Sequence, residues 1–198
     1  MPEPQRPAGT PDPVPARHRR LGWRLAVGVL LAVAGAVALV VPALGRKVDR
    51  RACAGVVSPG VTRRPLAGFG EVEVHVTDAA GRTHDLCMLA ASTQVQQERG
   101  LMQVRDRTLG GYDGMLFLFA QDASGPFWMR NTPMPLSIAF IDRLGRTVST
   151  TDMAPCADVG TCRLYPPAGP FRFAVEVPQG RLGAIGLGHG SLLRVAGA

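Results

Sequence analysis

The sequence predicts an all-β domain with minor α content, a compact small β-barrel or sandwich-like fold with one or two short helices, preceded by a single transmembrane helix. Three observations predict it. Short apolar segments alternate with period two or run for four to eight residues, the patterns of half-buried and fully buried strands. The 24 glycines and 17 prolines among 198 residues punctuate those segments at the joins. Near the N-terminus, Leu25 to Val41 is an unbroken run of Leu, Ala, Val and Gly, extended by Pro42-Ala43-Leu44.

Residues 1–20 read as a disordered, Pro-rich cytoplasmic tail. Pro2, Pro4, Pro7, Pro11, Pro13 and Pro15 stand among polar residues, a composition that cannot bury enough apolar surface to offset its ordering entropy. Residues 21–45 read as a transmembrane helix, since the apolar run matches a bilayer core of ~30 Å at 1.5 Å per residue. A cleaved signal is the competing reading, with Ala43 and Gly45 as a cleavage site, but the run exceeds the ~7 to 15 residues usual for such a segment. Residues 46–67 are the linker.

The net charge of +7 is concentrated in this N-terminal part. Arg6, Arg17, Arg19, Arg20, Arg24, Arg46, Lys47, Arg50 and Arg51 face only Glu3, Asp12 and Asp49, which leaves the following domain nearly neutral. Basic residues flanking an apolar span interact with anionic lipid headgroups, so the charge argues for a membrane partner and against nucleic acid.

Both flanks are basic, and charge alone gives almost no orientation. The cysteines supply one. Cys156 and Cys162 are six apart in a loop of Pro, Gly and Asp, and local closure pairs them, leaving Cys53 with Cys87. Disulfides persist in an oxidising compartment, which places the C-terminal domain outside the cytoplasmic membrane as a single-pass protein with its tail inside. Free buried thiols are the alternative. No close Cys-x-x-Cys pair occurs, and His75, His84 and His189 are scattered, so no metal or other cofactor is expected.

The β domain occupies residues 68–196. Val72, Val74 and Val76 alternate with Glu71, Glu73 and His75 as a strand, and Asp78-Ala79-Ala80-Gly81 turns it into a partner over Thr83 to Ala90. Thr93 and Gln96 have capping-box spacing and Gly100 sits at a C-cap, predicting a short helix over Gln94 to Arg99. Further strands are predicted at Met115 to Phe119, Phe127 to Arg130, Ser137 to Asp142, Thr147 to Met153, Phe171 to Val177 and Leu192 to Val195. Leu144-Gly145-Arg146 closes a hairpin, and eight short strands with little helix suggest a barrel or sandwich.

Three runs, Glu98-Arg99-Gly100-Leu101-Met102, Gly114-Met115-Leu116-Phe117-Leu118-Phe119 and Phe127-Trp128-Met129-Arg130-Asn131-Thr132, together resemble the core signature of the DUF192 (UPF0127) family. The resemblance continues through Pro135-Leu136, Ile138-Ala139-Phe140-Ile141, Met153-Ala154-Pro155-Cys156, Tyr165 and Val175-Glu176-Val177-Pro178. It implies a fold more firmly than a reaction, because the family has no established activity. Ser137 stands where relatives usually place Asp; a hydroxyl cannot replace a carboxylate in proton transfer, so this position is no essential proton shuttle. Ser191 stands where a Gly-Asp turn is commoner, and either residue can bond its own backbone.

Arg99, Trp128, Arg130, Asn131 and Asp152 are the candidate ligand-binding residues. In a strand over Phe127 to Asn131, Trp128 and Arg130 share one face and form a stacking and hydrogen-bonding platform. The structural alternative has Trp128 filling the barrel end and Arg130 paired with Asp142 or Asp152. Asn131 before Thr132-Pro133 favours a bend, although its amide could orient a ligand. Met102, Met115 and Met129 favour core packing over a soft-metal site. No GxSxG elbow, phosphate-binding Gly-rich loop or HExxH helix occurs.

Two functions follow. The favoured one is a non-catalytic binding or accessory module for a cell-envelope component, its ligand a glycan, a lipid headgroup or an envelope protein. The alternative is a hydrolase of envelope carbohydrate with Asp152 and either Asp142 or Glu176 as acid and base. Two carboxylates converging on one cleft beside Trp128 would favour the hydrolase, and separately paired acids the binding module.

Overall fold

The structure is a computed structural model that describes residues 62–197 apart from 159, together with 53 and 60. The expected tail of residues 1–20, the helix of residues 21–45 and most of the 46–67 linker lie outside the described residues. Among the described residues no helix is long and apolar enough to cross a membrane.

Nine strands run from Gly70 to Val195: β1 (Gly70–Thr77), β2 (Thr83–Ala91), β3 (Gly114–Ala123), β4 (Phe127–Trp128), β5 (Leu136–Ile141), β6 (Thr147–Met153), β7 (Leu164–Tyr165), β8 (Phe171–Pro178) and β9 (Leu192–Val195). Helix α1 spans Gln94–Arg99, and short 3-10 turns lie at Leu109–Gly111 and Gly183–Ile185. Seven strands form one sheet in the order β6-β5-β8-β3-β2-β1-β9, and β4 with β7 forms a two-stranded ribbon.

The expected barrel is not closed. Among the described residues its edge strands meet at one end, through an Arg146 to Leu192 bridge, a bond from Leu193 N to Gly145 O of 2.7 Å, one from Thr147 N to Ser191 O of 3.4 Å and a Thr147 to Ser191 hydroxyl contact of 2.8 Å. The four residues of β9 are already laddered to β1 from Val74 to Thr77, which leaves most of β6 as an unpaired edge. Gly145, at φ +85°, makes the one approach possible, since a Cβ there would lie 2.1 Å from the Leu193 carbonyl oxygen.

Both faces of the sheet are covered, which explains why β5 is buried at all six positions and β2 from Leu86 to Ala91. Alternate residues supply two separate cores. Val72, Val74, Val76, Met88, Ala139 and Val175 pack on one face, and Leu89, Met115, Phe117, Ile138, Phe140 and Ala174 on the other. Each fully buried large side chain stabilises the fold by about 1.5–3 kcal/mol. The second face carries Phe117, Phe119, Phe127, Phe140 and Phe171 with ring centroids 5.0 to 6.5 Å apart, mostly edge to face.

Strands β2 and β3 are parallel, so the chain must cross over between them, and α1 forms part of that crossover. The capping box is present: Thr93 Oγ1 accepts from Gln96 N, and Gln96 Oε1 accepts from Thr93 N. Gln97 Nε2 donates to Leu118 O at 2.6 Å and fastens α1 over β3. At Gly100, φ +46°, a Cβ would stand 3.2 Å from the Phe117 ring, so glycine lets the helix end close on the aromatic face.

Both disulfides join the expected partners, Cys53 with Cys87 and Cys156 with Cys162. With sequence separations of 34 and 6, loop closure makes them worth on the order of 4 and 2 kcal/mol.

Candidate functional site

A pocket of about 290 Å³ opens on the aromatic face where α1 ends against β3, β4 and β8. Its walls are Leu101, Met102, Phe117, Phe119, Phe127, Trp128 and Phe171, and its polar lining includes Glu98, Arg99, Thr132 and Glu176. The walls follow from strand alternation: in β4, Phe127 packs inward against the ring cluster while Trp128 stays 50% exposed, opposite Leu164 of β7.

Glu176 is set into this face by register. It lies opposite Met115 of β3 and Ile138 of β5, both members of the aromatic-side core, so its side chain shares their face. The residue is only 4% exposed, and among the described residues no hydrogen bond or ion pair engages its carboxyl. Burial alone pushes its pKa up to about 8, so at neutral pH the group is predominantly the uncharged acid. The two other charged groups lining the pocket lie at the end of α1. Glu98 accepts from Gln94 Nε2 at 2.8 Å; Arg99 donates to Ala67 O at 2.8 Å and lies 4.9 Å over the Phe69 ring.

The five expected binding residues do not converge. Arg99 and Trp128 line the aromatic pocket. Arg130 pairs with Asp158 at 2.7 Å, not with Asp142 or Asp152, and lies beyond the two-residue strand β4, so the Trp128 and Arg130 platform is not built as one strand face. Nor does Trp128 fill a barrel end. Asn131 adopts the expected bend at φ +55°; its carbonyl accepts from Gln103 N at 2.8 Å, and it borders a separate hollow of about 560 Å³ with Gln103, Arg105 and Asp158.

Asp152 lies elsewhere again. It faces Ser137 across the β5–β6 ladder, receives the Ser137 hydroxyl and takes a bond from Gln179 Nε2 at 3.0 Å. These two bonds, Ser137 first, hold its pKa below the usual carboxylate value, the wrong direction for a general acid. Ser137 also lies opposite Val177, a member of the other core, so Asp152 and Glu176 leave opposite faces of the sheet. Asp142 closes the β5–β6 hairpin, accepting from Leu144 N and Arg146 N and pairing with Arg146 at 2.9 Å. Thus neither Asp152 nor Asp142 lines the aromatic pocket that Glu176 lines. The departures Ser137 and Ser191 make backbone bonds: Ser137 Oγ accepts from Gly180 N, and Ser191 Oγ accepts from Gly188 N.

From sequence alone Glu176 is a candidate only as half of a catalytic pair. The signal of its true setting is in the sequence: one acid inside Phe173-Ala174-Val175-Glu176-Val177, a continuous strand run whose length and neighbours demand burial. Among the described residues, the group of His, Cys, Asp and Glu atoms close enough to hold a metal is Cys53, Glu71 and Cys87, and its two thiols are joined as a disulfide.

A doubly covered, open β-sheet with an aromatic pocket beneath a short crossover helix is the class of protein that this geometry defines. The DUF192 family, described as "Uncharacterized ACR, COG1430", matches residues 75–195, and the chain belongs to that family. No curated protein matches it. Among solved structures it is similar to a Sinorhizobium meliloti 1021 protein described provisionally as a transcription regulator, with 28% identity, a TM-score of 0.57 and coverage of 68% of this chain and 100% of that one. It is also similar to a Novosphingobium aromaticivorans protein of unknown function, with 30% identity, a TM-score of 0.57 and coverage of 72% and 96%.

Proposed function

We propose that this chain is a membrane-anchored, extracytoplasmic binding module whose aromatic pocket holds part of a cell-envelope component. The pocket carries the reading: about 290 Å³ of space walled by phenylalanine rings and a half-exposed Trp128, with a buried polar group at its lining, has the composition of a small-ligand site. Two disulfides support an oxidising location, and the apolar run Leu25 to Val41 supports an anchor.

One observation favours hydrolysis as a second reading. Glu98 and Glu176 both line this pocket, so two carboxyls do share a cleft with Trp128, although not the pair expected from the sequence.

The test is a binding screen of the full-length chain against envelope glycans, lipid headgroups and peptides, comparing the parent with Trp128→Ala and Glu176→Gln. Saturable binding that Trp128→Ala abolishes, with the ligand recovered intact, is expected. Consumption of the ligand by the parent but not by Glu176→Gln would replace the binding module with the hydrolase. An impermeant thiol reagent applied to intact cells checks the location and should label only after reduction; labelling that requires lysis overturns it.

A further inference from the structure

We propose that the aromatic pocket takes an organic ammonium group, held against the Trp128, Phe127 and Phe171 side chains with the Glu176 carboxylate as its counter-charge. This rests on the binding-module reading and adds the chemical class of the ligand.

Glu176 is a costly residue at this position. A polar group held largely out of water without a partner is destabilising, more so when ionised. Its strand neighbours Val175 and Val177 show what this sheet uses where only packing is required. At 4% exposure and with no partner among the described residues, the Glu176 carboxyl is a hydrogen-bonding group presented to the lining of a cavity.

The surroundings select the charge of what fills it. Ring faces carry the negative end of the aromatic quadrupole, and a cation within about 6 Å of a well-placed ring is attracted to it. An anion would meet both those faces and a carboxyl. The groups around Glu176 are Met115 from β3 and Ile138 from β5, both apolar, and Glu98 and Arg99 from α1. Arg99 is already engaged by the Ala67 carbonyl and the Phe69 ring, so the pocket presents two acids and one committed cation. Its volume suits a headgroup-sized cation better than a drug-sized ligand.

Proton linkage gives the proposal a sign. The empty site is protonated below about pH 8, and a cation binds the carboxylate, so binding expels a proton. Affinity then rises by up to about tenfold per pH unit until pH 8 and levels off above it. A neutral ligand accepting a hydrogen bond from the carboxylic acid would show the reverse, with affinity lost above pH 8.

The experiment titrates the full-length chain, reconstituted in phosphatidylglycerol vesicles, with choline, tetramethylammonium and the uncharged choline isostere 3,3-dimethylbutan-1-ol. Calorimetry is run from pH 6 to 9 in buffers of different ionisation enthalpy. Expected are saturable binding of both cations, proton release below pH 8, at least tenfold preference over the isostere, and at least tenfold loss in Glu176→Gln with its circular dichroism unchanged. Competition by phosphatidylcholine vesicles would identify a lipid headgroup as the source, and its absence a soluble ammonium compound; either supports the proposal. Equal or tighter binding of the isostere, or no saturable binding of either cation, overturns it. Trp128-dependent binding of another envelope probe would still stand in that case, so failure of the ammonium assignment is distinguishable from failure of the binding module.

Discussion

Asp152 and Glu176 lie on the two strands that flank β5, opposite Ser137 and Ile138, which are consecutive residues. That single step of register sends one carboxyl to each face of the sheet. Asp152 is exposed, takes bonds from Ser137 and Gln179, and stays below its ordinary pKa; Glu176 is buried at the pocket lining, unpartnered among the described residues, and raised to about 8. The same functional group is thus a surface strut on one side and a latent charge on the other, and the second lines the aromatic pocket.

The largest effect that tests this contrast is the pH dependence of stability. Because the folded pKa of Glu176 exceeds its unfolded value near 4.5, the native state holds the proton more tightly, and stability falls as pH rises from about 4.5 to about 8. The slope approaches 1.4 kcal/mol per pH unit. Glu176→Gln should remove that slope in urea denaturation measured from pH 5 to 8; equal slopes in parent and variant would mean that water reaches the carboxyl.

A second, comparable effect probes the wall rather than the charge. Phe171 is 1% exposed and touches the Phe119, Phe127 and Phe140 rings, so Phe171→Ala should cost about 3–5 kcal/mol in chemical denaturation. A loss under 1 kcal/mol would show that the ring cluster is loosely packed. The smallest effect belongs to Asp152→Asn, which at pH 7 should stay within about 0.5 kcal/mol of the parent because the site is exposed. Its sign with pH is opposite to that of Glu176: the lowered folded pKa contributes stability that is present above pH 4 and disappears on acidification. A large penalty at neutral pH would make Asp152 a structural centre.

Much of the sheet was legible because its signals are local. Val72, Val74 and Val76 alternate, Thr93 and Gln96 form the capping box, and the Leu144-Gly145-Arg146 turn closes β5 onto β6. The two-residue strand β7 was missed because Leu164-Tyr165 has no periodicity of its own and is a strand only by pairing with Phe127-Trp128. The sequence suggests a barrel or sandwich where the sheet is open because closure depends on whether β6 and β9 meet along their length, a long-range fact without a sequence period. The site was harder for the same reason. Arg99, Trp128 and Glu176 come from α1, β4 and β8, and nothing in their spacing reports that they line one pocket, while the Trp128 to Asn131 run suggested a face that a two-residue strand does not supply.

The Cys53 to Cys87 bond also has a mechanical meaning. It joins the chain ahead of the domain directly to β2, which is laddered to β1 on one side and to β3 on the other. Tension arriving from the N-terminal side therefore bypasses the backbone between the two cysteines and enters an interior strand. To pull that strand free, a force must break two ladders together, whereas without the crosslink it would reach β1 first. The domain is thus fastened at its middle, and a force applied to the chain at Cys53 is carried by the sheet that holds the pocket.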